Sequence, residues 1–86
     1  MNEVKRKQNE KRFGAWEELL DGDRRYWYQV NGRRGWFARY VKEVDREENT
    51  RQFYQEIFNE RGILVEVHHK YPEDRGHEPV TERVKS

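Results

Sequence analysis

Three histidines, His68, His69 and His77, fall near the C-terminal end of an 86-residue chain, with Lys70, Tyr71 and Arg75 among them. These are residue types that small metal-independent ribonucleases use. Such an enzyme needs a base to take the 2′-hydroxyl proton, an acid for the leaving oxygen, and a cation for the phosphate charge of the transition state. Histidine suits the first two roles near neutral pH. Glu56 and Glu66 can serve as base instead, with Arg39 as the cation. The spacing matches no catalytic motif. The plainer reading is that the histidines and Lys70 are ordinary surface residues at a strand end.

The same histidines and Asp74 are the candidate metal ligands. Neighbouring residues on a regular strand point to opposite faces, so His68 and His69 cannot hold one ion together. Structural zinc usually takes four ligands, often thiolates, and this chain has no cysteine. No metal and no other cofactor is expected. Glycine-rich phosphate loops, nucleophile elbows and EF-hand patterns are missing from the sequence.

The elements that must position these residues follow from the β-branched and aromatic runs Thr50 to Phe58 and Ile63 to His69. Between them, Asn59-Glu60-Arg61-Gly62 reads as a type I turn closed by a left-handed glycine. That turn pairs Asn59 with Ile63 and sets the register behind it. Ile57 then faces Val65, Gln55 faces Val67 and Phe53 faces His69, a mostly apolar side expected in the core. The other side pairs Phe58 with Leu64, Glu56 with Glu66 and Tyr54 with His68. It sets two carboxylates opposite one another, beside a phenol and an imidazole. Like charges so placed cost stability unless water, an arginine or a metal intervenes. A slip of one residue would divide this constellation.

A first hairpin precedes it. Arg25 to Val30 and Trp36 to Val44 read as strands. Asn31-Gly32 is a hairpin signal and Gly35 a second permissive position, so Val30 pairs with either Arg33 or Trp36. Arg33 and Arg34 sit exposed at the tip in both cases. Asp45 to Asn49 is the next loop, with Asn49 able to take a left-handed conformation. Phe13, Trp16, Leu19 and Leu20 recur at helical spacing, ended by Asp21-Gly22-Asp23, and predict a short N-terminal helix. The expected fold is α+β: a four-stranded antiparallel meander of two hairpins with that helix on one face. Residues 1–12 read as a mobile basic tail, 13–77 as a single domain and 78–86 as a mobile C-terminal tail.

Composition bounds the rest. Charged residues make up 41% and hydrophobic ones 33%, and residues 25–71 hold 19 of the 28 apolar side chains. A chain this short buries only about 60–65% of its unfolded surface, so a few large rings must supply most of the burial. The lack of cysteine fits a reducing cytoplasm. No apolar run is long enough to span a membrane. A net charge of +1 does not itself call for a nucleic-acid partner.

Tyr40-Val41-Lys42-Glu43-Val44-Asp45, then Phe53-Tyr54-Gln55-Glu56-Ile57, then His69-Lys70-Tyr71-Pro72 with Asp74 and Gly76-His77 resemble a family of small uncharacterised prokaryotic proteins. Their pattern is YVKEVD, FxQEI and LVExHxKYPxDxGH, covering about residues 25–77. That resemblance implies no assigned activity. The layout of strand, turn, strand and histidine-bearing segment also loosely resembles toxin components of the RelE type, without a matching catalytic motif.

Two functions fit. One is an RNA-interacting, toxin-like domain, with Glu56, Glu66, His68 and His77 as candidate catalytic residues. Tyr54, Arg39, Lys70, Arg33 and Arg34 are its candidate binding residues. The other is a non-enzymatic interaction module that docks a protein partner or forms a homodimer. It would use the ring-dense first hairpin, Tyr26, Trp27, Tyr28, Trp36, Phe37 and Tyr40, because one short helix cannot cover both faces of a sheet.

Overall fold

The computed structural model describes residues 2–80. The sheet has six strands rather than the expected four: β1 (Ala15–Glu18), β2 (Arg24–Asn31), β3 (Phe37–Val44), β4 (Thr50–Phe58), β5 (Leu64–Tyr71) and β6 (Gly76–Pro79). All are antiparallel to their neighbours, and their order in the sheet is their order in the chain. The two strands missed by sequence are the edges. Each has four residues, too few to show an alternation. β1 is held to β2 by Glu17–Arg25 and Glu18–Arg24 ion pairs. β6 contains Pro79, which an edge tolerates because its outer side needs no donor.

The helix is also displaced. α1 (Glu3–Phe13) is built from the basic segment expected to be a tail. Its capping residues were legible. Asn2 accepts from the Lys5 amide at 3.0 Å. Gly14, at φ 80°, ends the helix by donating to the Glu10 carbonyl. Glu3 in the first turn and Lys11 and Arg12 in the last suit the helix dipole. The Phe13–Leu20 stripe is not helical beyond Phe13. Trp16 lies in β1, and Leu20 begins a short 3₁₀ turn with its side chain exposed. β6 runs into the segment expected to be a C-terminal tail, taking in Glu78 and Pro79, and residues 81–86 lie outside the described ones. No described helix is long and apolar enough to cross a membrane.

α1 escaped a hydrophobic reading because only Asn9 and Phe13 are buried along it. It docks through a polar centre. Glu48, in the β3–β4 loop, is 2% exposed. It accepts from Arg6 Nε at 3.2 Å, Asn9 Nδ2 at 3.1 Å and the Tyr26 hydroxyl at 2.7 Å. Burial and this carboxylate push the Tyr26 phenol up to about 12. Glu48, not Asn49, takes the positive φ of the loop, at 66°. Around that centre the apolar core is small: Phe13, Tyr26 and Val44, with Tyr28 and Phe53 packed against them. The Cα radius of gyration is 14.4 Å, against about 12 Å for a compact chain of this length. The sheet is essentially one layer, with α1 lying over its β1–β2 side.

Both hairpins settle their registers in ways the sequence left open or misjudged. In the first, Val30 pairs with Ala38, so neither expected pairing holds. Arg34 and Gly35, at φ 56° and 82°, form the turn instead of Asn31-Gly32. Gly32 is needed for a different reason, since a Cβ there would lie 3.2 Å from the Trp36 carbonyl oxygen. In the second hairpin the Asn59–Gly62 turn forms as expected. Asn59 donates to the Ile63 carbonyl at 3.0 Å, Gly62 has φ 76°, and Asn59 Oδ1 caps the Arg61 and Ile63 amides. Behind it the ladder shifts. Phe58 pairs with Leu64 but Ile57 pairs with Glu66, leaving Val65 as the extra residue of a bulge. The shift moves Glu66 away from Glu56, which faces Val67. The like-charge pair is thereby avoided.

Candidate functional site

The bulge divides the expected constellation between the two faces of the sheet. Tyr54, Glu56 and Arg39 stay together on the face away from α1. Glu66, His68, Lys70 and His77 gather on the face that carries α1. Arg33 and Arg34 are exposed at the β2–β3 tip and belong to neither group.

On the helix face, one rung runs across five strands. Tyr28 pairs with Tyr40, Tyr40 with Gln55, Gln55 with His68, and His68 with His77. The rung is in contact along most of its length. Tyr28 and Tyr40 stack with centroids 5.1 Å apart. Gln55 Nε2 donates to the Tyr40 hydroxyl at 3.0 Å. The two imidazoles meet at 4.4 Å. Lys70 Nζ lies 5.5 Å from the Tyr40 ring centroid. Lys70, two residues beyond His68, shares its face by alternation, and a second bulge, between Tyr54–His69 and Phe53–Tyr71, brings Tyr71 to it as well.

Each imidazole has its own carboxylate. His77 Nδ1 is 2.9 Å from Glu66 Oε1. A carboxylate only accepts, so Nδ1 carries the proton and neutral His77 presents its lone pair on Nε2. The His77 side chain is 44% exposed. His68 Nε2 is 2.7 Å from Asp74 Oδ1, and its Nδ1 is buried without a partner. Both ring nitrogens of His68 are thus either engaged or buried. His68 ties the β5–β6 turn to the sheet, and Asp74 Oδ1 also accepts from the Gly76 amide at 2.9 Å. The Gly76 amide and the His68 ring hold the Asp74 carboxyl below its usual range. Asp74, weighed from sequence only as a metal ligand, thus fixes the turn that leads into the strand carrying His77.

On the opposite face a depression of about 500 Å³ is lined by Glu17, Arg25, Trp27, Arg39, Val41, Tyr54 and Glu56. Arg39 lies 5.4 Å from the Phe58 ring centroid, and its Nε is buried without a hydrogen-bond partner. Burial raises the Glu56 pKa, against the pull of Arg39 and Arg25. Glu43 shifts the other way. Burial opposes its charge, but hydrogen bonds from Arg25, Tyr54 and Gln52 outweigh it. Burial, then the Glu43 bond, raises the Tyr54 phenol. Tyr54 is thus engaged by Glu43 at 3.0 Å rather than by a histidine below it. His69 lies on this face too, 5.5 Å from Tyr54, ring to ring.

Among the described residues no three of His, Asp or Glu are grouped as a metal ion would need. Sequence reasoning named Tyr28 and Tyr40 only among the rings of the first hairpin, without joining them to the histidines, and missed Gln55. Their i, i+2 alternation with core positions was visible, but assigning a face required the registers. Compared with known proteins, no family model, curated protein or solved structure matches the chain.

Proposed function

We propose that the protein is a small RNA-interacting, toxin-like domain with an acid–base centre at His77, working in the reducing cytoplasm that its cysteine-free sequence suits. The observation that supports it is the rung from Tyr28 to His77. Single-stranded RNA is recognised by stacking bases on exposed rings, with cations tracking the phosphates. The rung offers two tyrosines and the exposed imidazole of His77 in line, with Lys70 over the Tyr40 ring. It ends at an exposed histidine, one of whose nitrogens is fixed by Glu66. In the proposed reaction His77 Nε2 takes the 2′-hydroxyl proton. The oxygen attacks phosphorus and the bond to the 5′ oxygen breaks, leaving a 2′,3′-cyclic phosphate. The Lys70 ammonium faces the phosphate and supplies the leaving oxygen's proton.

Incubation with an end-labelled single-stranded RNA in a chelator tests this. Cleavage to a cyclic phosphate end is expected, falling about 10²-fold or more in His77→Ala and less in Glu66→Gln. Absence of both cleavage and salt-resistant binding would overturn the reading.

A second reading, the interaction module, is favoured by one observation. Val30, Trp36 and Ile63 are 46%, 41% and 51% exposed. They lie on adjoining hairpin tips, where a Cβ on Gly35 would come within 3.2 Å of Glu60 Cβ. Here a second copy of the chain covers the apolar tips. Sedimentation equilibrium distinguishes it: a dimer that Trp36→Ala dissociates, unaffected by RNA.

A further inference from the structure

A cleft of about 600 Å³ opens between α1 and the sheet, on the same face as the rung but built from other residues. One wall is helical. Lys5, Gln8, Asn9 and Arg12 recur three, four and seven residues apart and so share one face of α1. The other wall is Lys42 on β3, Thr50 and Phe53 on β4, and Tyr71 on β5. Phe53 and Tyr71 are paired across the bulge beside Lys70.

Three cations converge on this space, and none is ion-paired among the described residues. Lys42 Nζ donates to Asn9 Oδ1 at 3.0 Å and lies 6.0 Å from the Phe13 ring centroid. Arg12 has only the Phe13 ring, at 5.7 Å. Lys5 is exposed at the rim. The Glu48 carboxylate also lines the cleft, but Arg6, Asn9 and Tyr26 occupy it. Burial, then the like charge of Arg12, lowers the Lys42 pKa against the pull of Glu48, with Lys5 adding to the lowering, so an incoming anion offsets a cost already present. The size lies within the range of small-molecule sites and is far larger than an inorganic anion needs. The floor of rings asks for a planar group.

We propose that this cleft binds a nucleoside monophosphate, its phosphate held by Lys5, Arg12 and Lys42 and its base lying against Phe53 and Tyr71. The ligand is either the free nucleotide or the terminal nucleotide of an RNA. The site stands on residues separate from His77, so this proposal and the ribonuclease reading fail independently.

Amide-resonance titrations of the full chain at physiological salt test it, with AMP, adenosine, inorganic phosphate, and adenosine trinucleotides with and without a 5′-phosphate. AMP should bind at least about tenfold more tightly than adenosine or phosphate, with shifts at Lys42, Phe53 and Tyr71. Arg12→Ala, on the exposed helix surface, and Lys42→Gln should each weaken AMP about tenfold. Tyr71→Ala should weaken AMP but not phosphate. Preference for the phosphorylated trinucleotide over AMP identifies an RNA terminus. Equal or weaker binding of it identifies the free nucleotide. AMP binding no tighter than phosphate, or unchanged in Arg12→Ala and Lys42→Gln, would overturn the proposal.

Discussion

Tyr26 donates its phenolic hydrogen to Glu48 Oε1 at 2.7 Å, and neither side chain reaches solvent. Through this contact one carboxylate joins the β3–β4 loop, the sheet and α1. Removing a partner from a buried charged centre typically costs about 3–5 kcal/mol, because Arg6 and Asn9 are left unsatisfied. Glu48→Ala should therefore unfold much of the population at 37 °C, read by urea titration of tryptophan fluorescence. Glu48→Gly loses the same contacts but accepts the positive φ. It should be the more stable of the two by about 1 kcal/mol, reversing the usual order of glycine and alanine.

Glu56 carries a pH signature of opposite sign to the usual carboxylate. Its pKa is raised in the folded protein, so the native state binds the proton more tightly than the unfolded chain. Its contribution to stability is present below the unfolded value of 4.5 and is lost as pH rises through the folded value. Glu56→Gln should accordingly raise the melting temperature at pH 7, and the gain should vanish in acid below pH 4.5. A melting temperature lowered at pH 7 would show that Arg39 depends on this charge.

Asp74 works through two acceptor bonds, to His68 and to the Gly76 amide. Asp74→Ala should loosen the β5–β6 turn without touching the His77–Glu66 pair directly. Cleavage of RNA should fall, but less than in His77→Ala. The nuclear Overhauser contact between the two imidazole rings should weaken. Loss of cleavage as complete as in His77→Ala would instead make Asp74 itself a reacting group.

The bulge at Val65 makes a counterintuitive prediction. Deleting Val65 leaves Leu64 opposite Phe58 and brings Glu66 into an uninterrupted ladder opposite Ile57. Every pairing from Glu66 onward is kept. The deletion should cost about 1 kcal/mol of lost side-chain burial and the bond that the Val65 carbonyl accepts from the Val80 amide at 2.9 Å, with amide shifts of residues 66–77 nearly unchanged. Re-registered shifts through β4 would show that the bulge itself holds the sheet.

What could be read in the sequence followed how local its cause was. The Asn59–Gly62 turn, the four central strands and the exposed Arg33 and Arg34 follow from residue types within a few positions of each other. The grouping of His77 with Glu66, and of Tyr54 with Glu43, did not. Each depends on register, the first on the bulged β4–β5 ladder and the second on the β3–β4 ladder. α1 was missed because a helix is usually recognised by its apolar stripe, whereas this one docks by Arg6 and Asn9 on a buried glutamate 39 to 42 residues away. That distance lies beyond any local pattern.

Strand order equal to chain order also bears on how the molecule comes apart. Every ladder joins consecutive strands, so no long loop must close before pairing begins, and folding should be quick for a β protein. The sheet can also open from one side. β6, then β5, can detach while the cluster of Phe13, Tyr26, Val44 and Glu48 stays intact. Amide protection should therefore rise in steps from β6 inward to β2 and β3. The strand that carries His77 would exchange first, so the candidate reactive histidine sits on the most easily released edge of the sheet.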